Sequence, residues 1–225
     1  MIRLVALSDT HGCHLGLKVP DGDILVHCGD LCSHGGMADT IEFLNWFNIH
    51  PHRWKMFIAG NHDWIFEKNT SLMETVMKGY PDLIYLNDSG ATIEGLKFWG
   101  SPVSPRFFNW AFNRDRGEEI KRHWDMIPKD TDVLITHGPP YGFCDEAYRV
   151  GYNITEKVGC RDLLDATLRI APALHLFGHI HYSGGKSHVA PQTTYANVSV
   201  LNESYTVENK PMIFDIDSNK TVSIM

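Results

Sequence analysis

The stretch ALHLFGHIH, residues 173–181, joins a short apolar run to a glycine and two histidines spaced one residue apart. Such a run predicts a buried strand, and residues two apart on an extended backbone point to the same side. His179 and His181 would therefore face one point just beyond the end of a strand. One His-x-His pair is weak evidence for a site, so its weight depends on the other strands of the chain.

Five predicted strands share this arrangement. They are almost continuously apolar, which is typical of strands buried on both faces, and they lie near residues 3–8, 23–27, 55–59, 132–136 and 174–177. Each is followed by residues that can bind a metal, usually beside a glycine: Asp9-Thr10-His11-Gly12, Gly29-Asp30, Gly60-Asn61-His62-Asp63, His137-Gly138 and Gly178-His179-Ile180-His181.

The segments between these strands predict helices. Apolar residues recur at helical spacing in MADTIEFLNWFNIH (37–50), DRGEEIKRHWDMI (115–127) and CRDLLDATLRI (160–170). Strands alternating with helices indicate an α/β fold with a substantially parallel sheet. Toward the C-terminus, TTYANVSV (193–200), PMIFDID (211–217) and TVSIM (221–225) predict strands of a mixed or second sheet. No linker or low-complexity tract divides the chain, so we expect a single domain over residues 1–225.

The five strand exits supply a ligand set for two metal ions. Ligand sites of open α/β sheets form outside the carboxyl ends of the strands, where several loops meet. Two divalent ions about 3.5–4 Å apart commonly share a carboxylate, and Asp30 is the natural bridge. The seven predicted ligands are Asp9, His11, Asp30, Asn61, His137, His179 and His181. Imidazole and carboxylate ligation suits Mn, Fe or Zn, and the sequence does not choose among them.

The ordered motifs D-x-H, G-D, G-N-H-D, T-H-G and G-H-x-H resemble those of the calcineurin-like metallophosphoesterases. The segments SPVSPRFFNWAFNRD (101–115) and THGPPYG (136–142) are most similar to the small metallophosphoesterase-domain-containing proteins, which are related to class III phosphodiesterases. The resemblance implies a two-sheet β-sandwich core flanked by helices on both sides. Ser33 departs from the longer family motif G-D-x-x-D, because it stands where that motif has its second carboxylate.

The resemblance also implies a role for each motif residue. One ion would be held by Asp9, His11, Asp30 and His181, and the other by Asp30, Asn61, His137 and His179. His62 is similar to the family's catalytic histidine, which faces the scissile phosphate, and Asp63 would orient its ring. The implied reaction is hydrolysis of phosphodiesters, cyclic nucleotides among them, and of phosphomonoesters, by a hydroxide that bridges the metals. The implied partner is a small phosphoester, and no substrate-binding residue is assigned.

Two other functions stay open: a non-catalytic metal-binding scaffold on the same fold, and a nuclease. The net charge of -7 and the lack of a basic run argue against long nucleic acid and against a membrane surface. The N-terminus does not resemble a secretory signal, and the apolar runs are too short to span a membrane, so we expect a cytoplasmic protein. The aromatic insertion RFFNWAFNRDR (106–116) is read equally as a wall of the site or as core. The sequence assigns no oligomeric state.

Overall fold

Two mixed sheets form the centre of the fold in the computed structural model, which describes residues 1–149 and 151–225. In spatial order, the first sheet contains β16 (Val222–Ile224), β15 (Met212–Ile216), β1 (Ile2–Leu7), β2 (Ile24–Cys28), β3 (Trp54–Ile58) and β4 (Leu83–Tyr85). The second contains β13 (Ser187–Val189), β14 (Thr194–Asn197), β12 (Leu174–Phe177), β9 (Val133–Thr136), β6 (Leu96–Ser101) and β5 (Ser89–Ile93).

Shorter elements complete the described chain. Two small ribbons pair β7 (Ser104–Pro105) with β8 (Asn113–Arg114) and β10 (Glu146–Arg149) with β11 (Ile154–Lys157). The α-helices are α1 (Met37–Asn48), α2 (Trp64–Lys68), α3 (Thr70–Met77), α4 (Glu118–Asp125) and α5 (Arg161–Ile170). Short 3₁₀ turns cover Cys13–Gly16 and His181–Ser183.

The strands that precede the predicted ligands are parallel within each sheet. β1, β2, β3 and β4 run parallel in the first sheet, and β6, β9, β12 and β14 run parallel in the second. Antiparallel pairing extends one edge of the first sheet, through β15 and β16, and both edges of the second, through β13 and β5. The carboxyl ends of the parallel strands therefore lie along the same side of each sheet.

The alternation of strands and helices indicated a substantially parallel sheet, and the structure contains two such sheets. The five strands divide between two sheets, three in the first and two in the second. The C-terminal strands also divide, because β14 joins the second sheet while β15 and β16 extend the first. Apolar pattern alone reports that a strand is buried, and it carries no information about which sheet the strand joins.

Alternate residues of the central strands face two different apolar clusters. In β1, Leu4 and Ala6 lie between the sheets, in the same apolar cluster as Val133 and Leu174 of the second sheet. The intervening Val5 and Leu7 face outward instead, onto α1. A strand covered on both faces needs apolar residues at every position, which explains the continuous runs in the sequence.

Helices cover the outer face of each sheet. On the first sheet, α1 packs through Phe43 and Phe47. On the second, α4 and α5 pack through Trp124 and Leu163. The two-sheet sandwich flanked by helices on both sides is thus confirmed. Within residues 1–149 and 151–225, no helix has the length and apolarity needed to cross a bilayer.

Candidate metal centre

The strand exits of both sheets meet at one edge of the sandwich. β1 leads to Asp9 and His11, β2 to Asp30, and β3 to Asn61. In the second sheet, β9 leads to His137, and β12 leads to His179 and His181. Most of these side chains are buried, and the structure brings all seven predicted ligands to this edge.

One cluster joins Asp9, His11 and His181, whose ligand atoms lie within 4.8 Å of one another. Asp9 Oδ1 is 3.4 Å from His181 Nε2 and 4.0 Å from His11 Nε2. The two imidazole Nε2 atoms are 3.3 Å apart. These three groups converge on one point, as ligands of a single cation do.

A second cluster joins Asp30, His137 and His179 within the same distance limit. Asp30 Oδ2 lies 3.4 Å from His137 Nε2, and Asn61 Oδ1 lies 2.9 Å from the same nitrogen. Asp30 Oδ2 is also 3.5 Å from His11 Nε2 in the first cluster. One carboxylate oxygen therefore faces both clusters, which is the geometry expected of a bridging ligand.

The hydrogen bonds around the clusters favour bound cations. His137 Nδ1 lies 3.0 Å from the Cys28 carbonyl oxygen, and His181 Nδ1 lies 3.0 Å from that of Asn202. Donating Nδ1–H to these oxygens leaves Nε2 as a lone pair aimed into the centre. His137 Nε2 then faces Asn61 Oδ1, so two hydrogen-bond acceptors point at each other. A cation bound by both atoms would remove this repulsion. The residues present fit a pair of divalent ions.

The protonation states of the clusters also suit metal binding. Burial lowers the pKa of His11 and of His179 to about 4, so both imidazoles are neutral at pH 7. Burial alone would raise the pKa of the Asp9 and Asp30 carboxyls, but the surrounding histidines outweigh it and hold both well below their usual range. Burial opposes the charged form of His137 as well, yet Asp30 and Asp9 raise its pKa to about 9. A cation would take the place of that proton.

The backbone is strained where it presents these ligands. Asp9, His11, Asp30 and His179 all have positive φ, from 43° to 69°. Side-chain-bearing residues rarely adopt this region, at a cost of about 1–3 kcal/mol each, and they do so mainly at functional sites.

The glycine before His179 is required by close packing. A Cβ on Gly178 would lie 2.1 Å from Asp9 Oδ2 and 2.2 Å from the Ser8 hydroxyl oxygen. The carboxylate of Asp9 accepts hydrogen bonds from His179 N and, at 2.7 Å, from Ser199 Oγ. Only a residue without a side chain lets the two loops approach this closely.

His62 lies beside the two clusters with its ring held from both sides. Its Nδ1 is 2.8 Å from the Ser33 carbonyl oxygen, and its ring stacks on Trp110 with centroids 4.3 Å apart. The His62 backbone amide donates to Asp30 Oδ1 at 2.8 Å. A ring nitrogen of His62 also lies within 4.8 Å of ligand atoms of His11 and Asp30.

The expectation that Asp63 orients the His62 ring needs correction. The Asp63 carboxylate is fully buried and accepts hydrogen bonds from the backbone amides of Gly60, Leu31 and Cys32. It therefore ties the loop after β3 to the loop after β2. Ser33 supplies the contact to His62 through its carbonyl oxygen, and its hydroxyl donates to the carbonyl oxygen of His11.

The aromatic insertion, residues 106–116, contributes both to the wall of the site and to the core. Phe107, Phe108 and Trp110 line a cavity of about 380 Å³ over the clusters, whereas Phe112 is buried in the core. Tyr205, which sequence reasoning did not single out, closes another side, with its ring 4.9 Å from His11 and 5.3 Å from His181. Isolated aromatic and serine residues carry no motif, so the sequence offers no signal for Tyr205 or Ser199, whereas Trp110 lies in the insertion that the sequence did single out.

Comparison with known proteins places the chain in a family. The sequence model of the calcineurin-like phosphoesterases matches residues 2–183. The chain belongs to this family. Calcineurin-like phosphoesterases with similar sequences include metallophosphoesterase domain-containing protein 1 of Homo sapiens, which is 35% identical over 235 residues, covering 95% of this chain and 71% of that protein. UPF0046 protein K07C11.7 of Caenorhabditis elegans is 36% identical over 233 residues, covering 99% and 77%.

A solved structure shares the fold of this chain. The crystal structure of TT1561 of Thermus thermophilus superposes with a TM-score of 0.63 at 13% identity, over 100% of this chain and 98% of that one. The family implies a dinuclear centre of divalent metals, and the structure contains candidate ligand clusters for it. Family and clusters together support a metal-dependent phosphoester hydrolase.

Proposed function

We propose that the protein hydrolyses small phosphodiesters, cyclic nucleotides among them, and that it hydrolyses phosphomonoesters less well. The observation that carries this preference is the lining of the cavity over the two clusters. Among the described residues, that lining contains no Lys or Arg, and it includes the carboxylate of Glu203. A phosphomonoester carries about two negative charges at pH 7 and a diester one, so the diester needs less compensating charge from the protein.

The aromatic walls support the same substrate class. A diester has an organic group on each side of phosphorus, and Phe107, Trp110 and Tyr205 offer apolar surface around the clusters. The cavity volume of about 380 Å³ lies in the range of small-molecule sites. We therefore assign the partner as a small phosphoester, and the acidic net charge of the chain disfavours long nucleic acid.

The seven predicted ligands would hold two divalent ions of Mn, Fe or Zn. When bound, such a pair supplies a water of lowered pKa and positive charge for the phosphate oxygens. Asp30 fixes the spacing of the two clusters, because Oδ2 faces both of them while Oδ1 is held by the His62 amide. Ser199 fixes Asp9, so Oδ1 is left to face the first cluster.

His62 is the proposed proton donor to the leaving oxygen. The Ser33 carbonyl oxygen fixes Nδ1, which leaves Nε2 as the ring nitrogen that can exchange a proton with a substrate. Stacking on Trp110 keeps the ring from turning away from the clusters. Asp63 does not face the substrate, and its carboxylate instead holds together the two loops that carry Asp30 and His62.

The proposal is tested with bis-p-nitrophenyl phosphate and p-nitrophenyl phosphate, each with Mn²⁺ and with a chelator. We expect kcat/KM to be higher for the diester and to depend on Mn²⁺. Asp9→Asn should lose most activity, because it removes a charged ligand of the first cluster. A scaffold would bind Mn²⁺ and hydrolyse neither ester, and a higher kcat/KM for the monoester would contradict the assigned substrate class.

A further inference from the structure

A second cavity, of about 480 Å³, opens beside the candidate metal centre. It lies between the β10–β11 ribbon, the start of the aromatic insertion and the loop after β9. It shares Phe107, Ala147, His179 and Ile180 with the cavity over the clusters, so the two cavities are adjacent. His179 is the link, since it is also a predicted ligand of the second ion.

The lining of this cavity has a sign of charge opposite to that of the protein. It contains Arg106, Arg116, Arg149 and Lys157 and a single carboxylate, Glu156, although the chain as a whole carries a net charge of -7. The cavity directly over the clusters has no cation among its described residues. The cations therefore line the neighbouring cavity and not the cavity directly over the clusters.

Two of the four cations are already neutralised. Arg106 pairs with Asp115, and Arg149 pairs with Glu156. Arg116 instead donates to the uncharged carbonyl oxygens of Gly159 and Val158, at 2.9 and 2.8 Å. Among the described residues, Lys157 makes no ion pair, and its side chain is exposed. Arg116 and Lys157 are therefore the cations of this wall that no carboxylate binds directly in the described part of the chain, although Glu146 lies opposite Lys157 in the β10–β11 ribbon.

We propose that this cavity, named here the basic side cavity, binds the organic group of the substrate and that this group carries a second anionic group, a phosphate or a carboxylate. The ester phosphate would lie at the clusters, and the second anion would lie near Arg116 and Lys157. Apolar side chains on the same wall, Phe107, Pro139 and Val158, contact the uncharged part of the group. This inference rests on the proposed function, because it names the substrate class of the same site.

The test compares two probes that differ by one phosphate, thymidine 5′-monophosphate and thymidine 3′,5′-bisphosphate. Their Kd values are measured by calorimetry on the Mn²⁺-loaded protein. We expect the bisphosphate to bind about fivefold more tightly, which is the size of one partly exposed charge contact. Raising the ionic strength should reduce this ratio, because exposed charges are screened by salt.

Lys157→Glu should remove the ratio between the two probes, and the milder Lys157→Gln should reduce it. Lys129→Glu is the matched control, because Lys129 is exposed and precedes β9, at the sheet edge opposite the clusters, so the ratio should persist. Equal Kd values in the wild type, or an unchanged ratio in Lys157→Glu, would overturn the proposal. Hydrolysis of thymidine 5′-(p-nitrophenyl phosphate) by the same samples tests the proposed function separately. If the bisphosphate binds more tightly but this ester is not hydrolysed, the proposed function is rejected and the proposed binding of a second anion is not.

Discussion

At the scale of single residues, the candidate centre depends on side chains that hold the ligands as much as on the ligands themselves. Ser199 donates to Asp9 Oδ2 and thereby leaves Oδ1 to face His11 and His181. Ser33 holds both the His11 loop and the His62 ring. Such outer contacts orient metal ligands and raise metal affinity.

Ser199→Ala should therefore weaken metal binding at the first cluster about 10–100-fold. The lost hydrogen bond frees the Asp9 carboxylate to rotate away from the imidazoles. Mn²⁺ titration followed by calorimetry measures the effect. Ser204→Ala, at an exposed position, is the control and should leave the affinity unchanged. Equal Mn²⁺ affinities in both variants would show that Ser199 does not fix the carboxylate.

His62→Ala should lower kcat about 10²–10⁴-fold on a diester with an alkyl leaving group, because an alkoxide needs a proton to leave. The loss should be smaller for a p-nitrophenyl leaving group, which departs readily as an anion. Metal content should stay at two ions per chain, since His62 is assigned no ligand role. His188→Ala, at an exposed position away from the centre, is the control. Unchanged turnover on the alkyl ester would remove His62 from the proposed role.

The ligands of the candidate centre could be predicted from the sequence, but the residues that hold those ligands by hydrogen bonds could not. Asp9, Asp30 and the histidines stand at the ends of apolar runs, so motif and position agree. Ser199 is 190 residues from the carboxylate that it holds, and no local pattern marks that contact. The role expected of Asp63 failed for the same reason, because its partners are backbone amides that only the folded loops bring together.

At the scale of elements, the apolar pattern located the five strands that precede the predicted ligands. The run predicted at 174–177 coincides with β12, and the run at 132–136 contains β9, Val133–Thr136. Helix α5 begins after Cys160, whose sulfur accepts from the Leu163 amide, and ends just before Pro172. The strands β4, β5, β6 and β13 were not predicted, nor were the ribbons β7–β8 and β10–β11. The ribbon strands, such as EAYR in β10 and ITEK in β11, lack the continuous apolar run that marks β9 and β12.

The turn from β12 into the centre makes a prediction at this scale. Gly178→Ala should displace the Asp9 carboxylate, because the new methyl group would lie 2.1 Å from Oδ2. We expect loss of activity and of at least one metal ion per chain. Gly16→Ala is the matched control, since a Cβ there meets nothing within 4 Å. Metal analysis and kcat/KM on both variants check this, and full activity in Gly178→Ala would contradict the packing described.

At the scale of the whole molecule, two sheets packed face to face hold the two halves of the centre at a fixed distance. Asp9, Asp30 and Asn61 follow strands of the first sheet, and His137, His179 and His181 follow strands of the second. The layer between the sheets therefore supports both folding and metal binding. The sequence pattern gave no such division, and it was the resemblance to a family that implied the sandwich. The extent of a single domain over residues 1–225 stays a prediction.

Leu176→Ala tests the contribution of that layer. Leu176 is fully buried between the sheets, so its truncation should lower the free energy of unfolding by about 2–5 kcal/mol. Leu168→Ala removes the same atoms at a position that is 63% exposed and should change it by less than about 0.5 kcal/mol. Urea unfolding of the two variants gives both values, and similar losses would show that this layer does not dominate stability.

The central claim is that loops from both sheets bind a pair of metal ions, with Asp30 between them. Anomalous diffraction from crystals grown with Mn²⁺ tests it most directly. We expect two anomalous peaks about 3.5–4 Å apart, with Asp30 Oδ2 in contact with both and the other six predicted ligands divided between them. A single peak, no peak, or peaks remote from these side chains would contradict it.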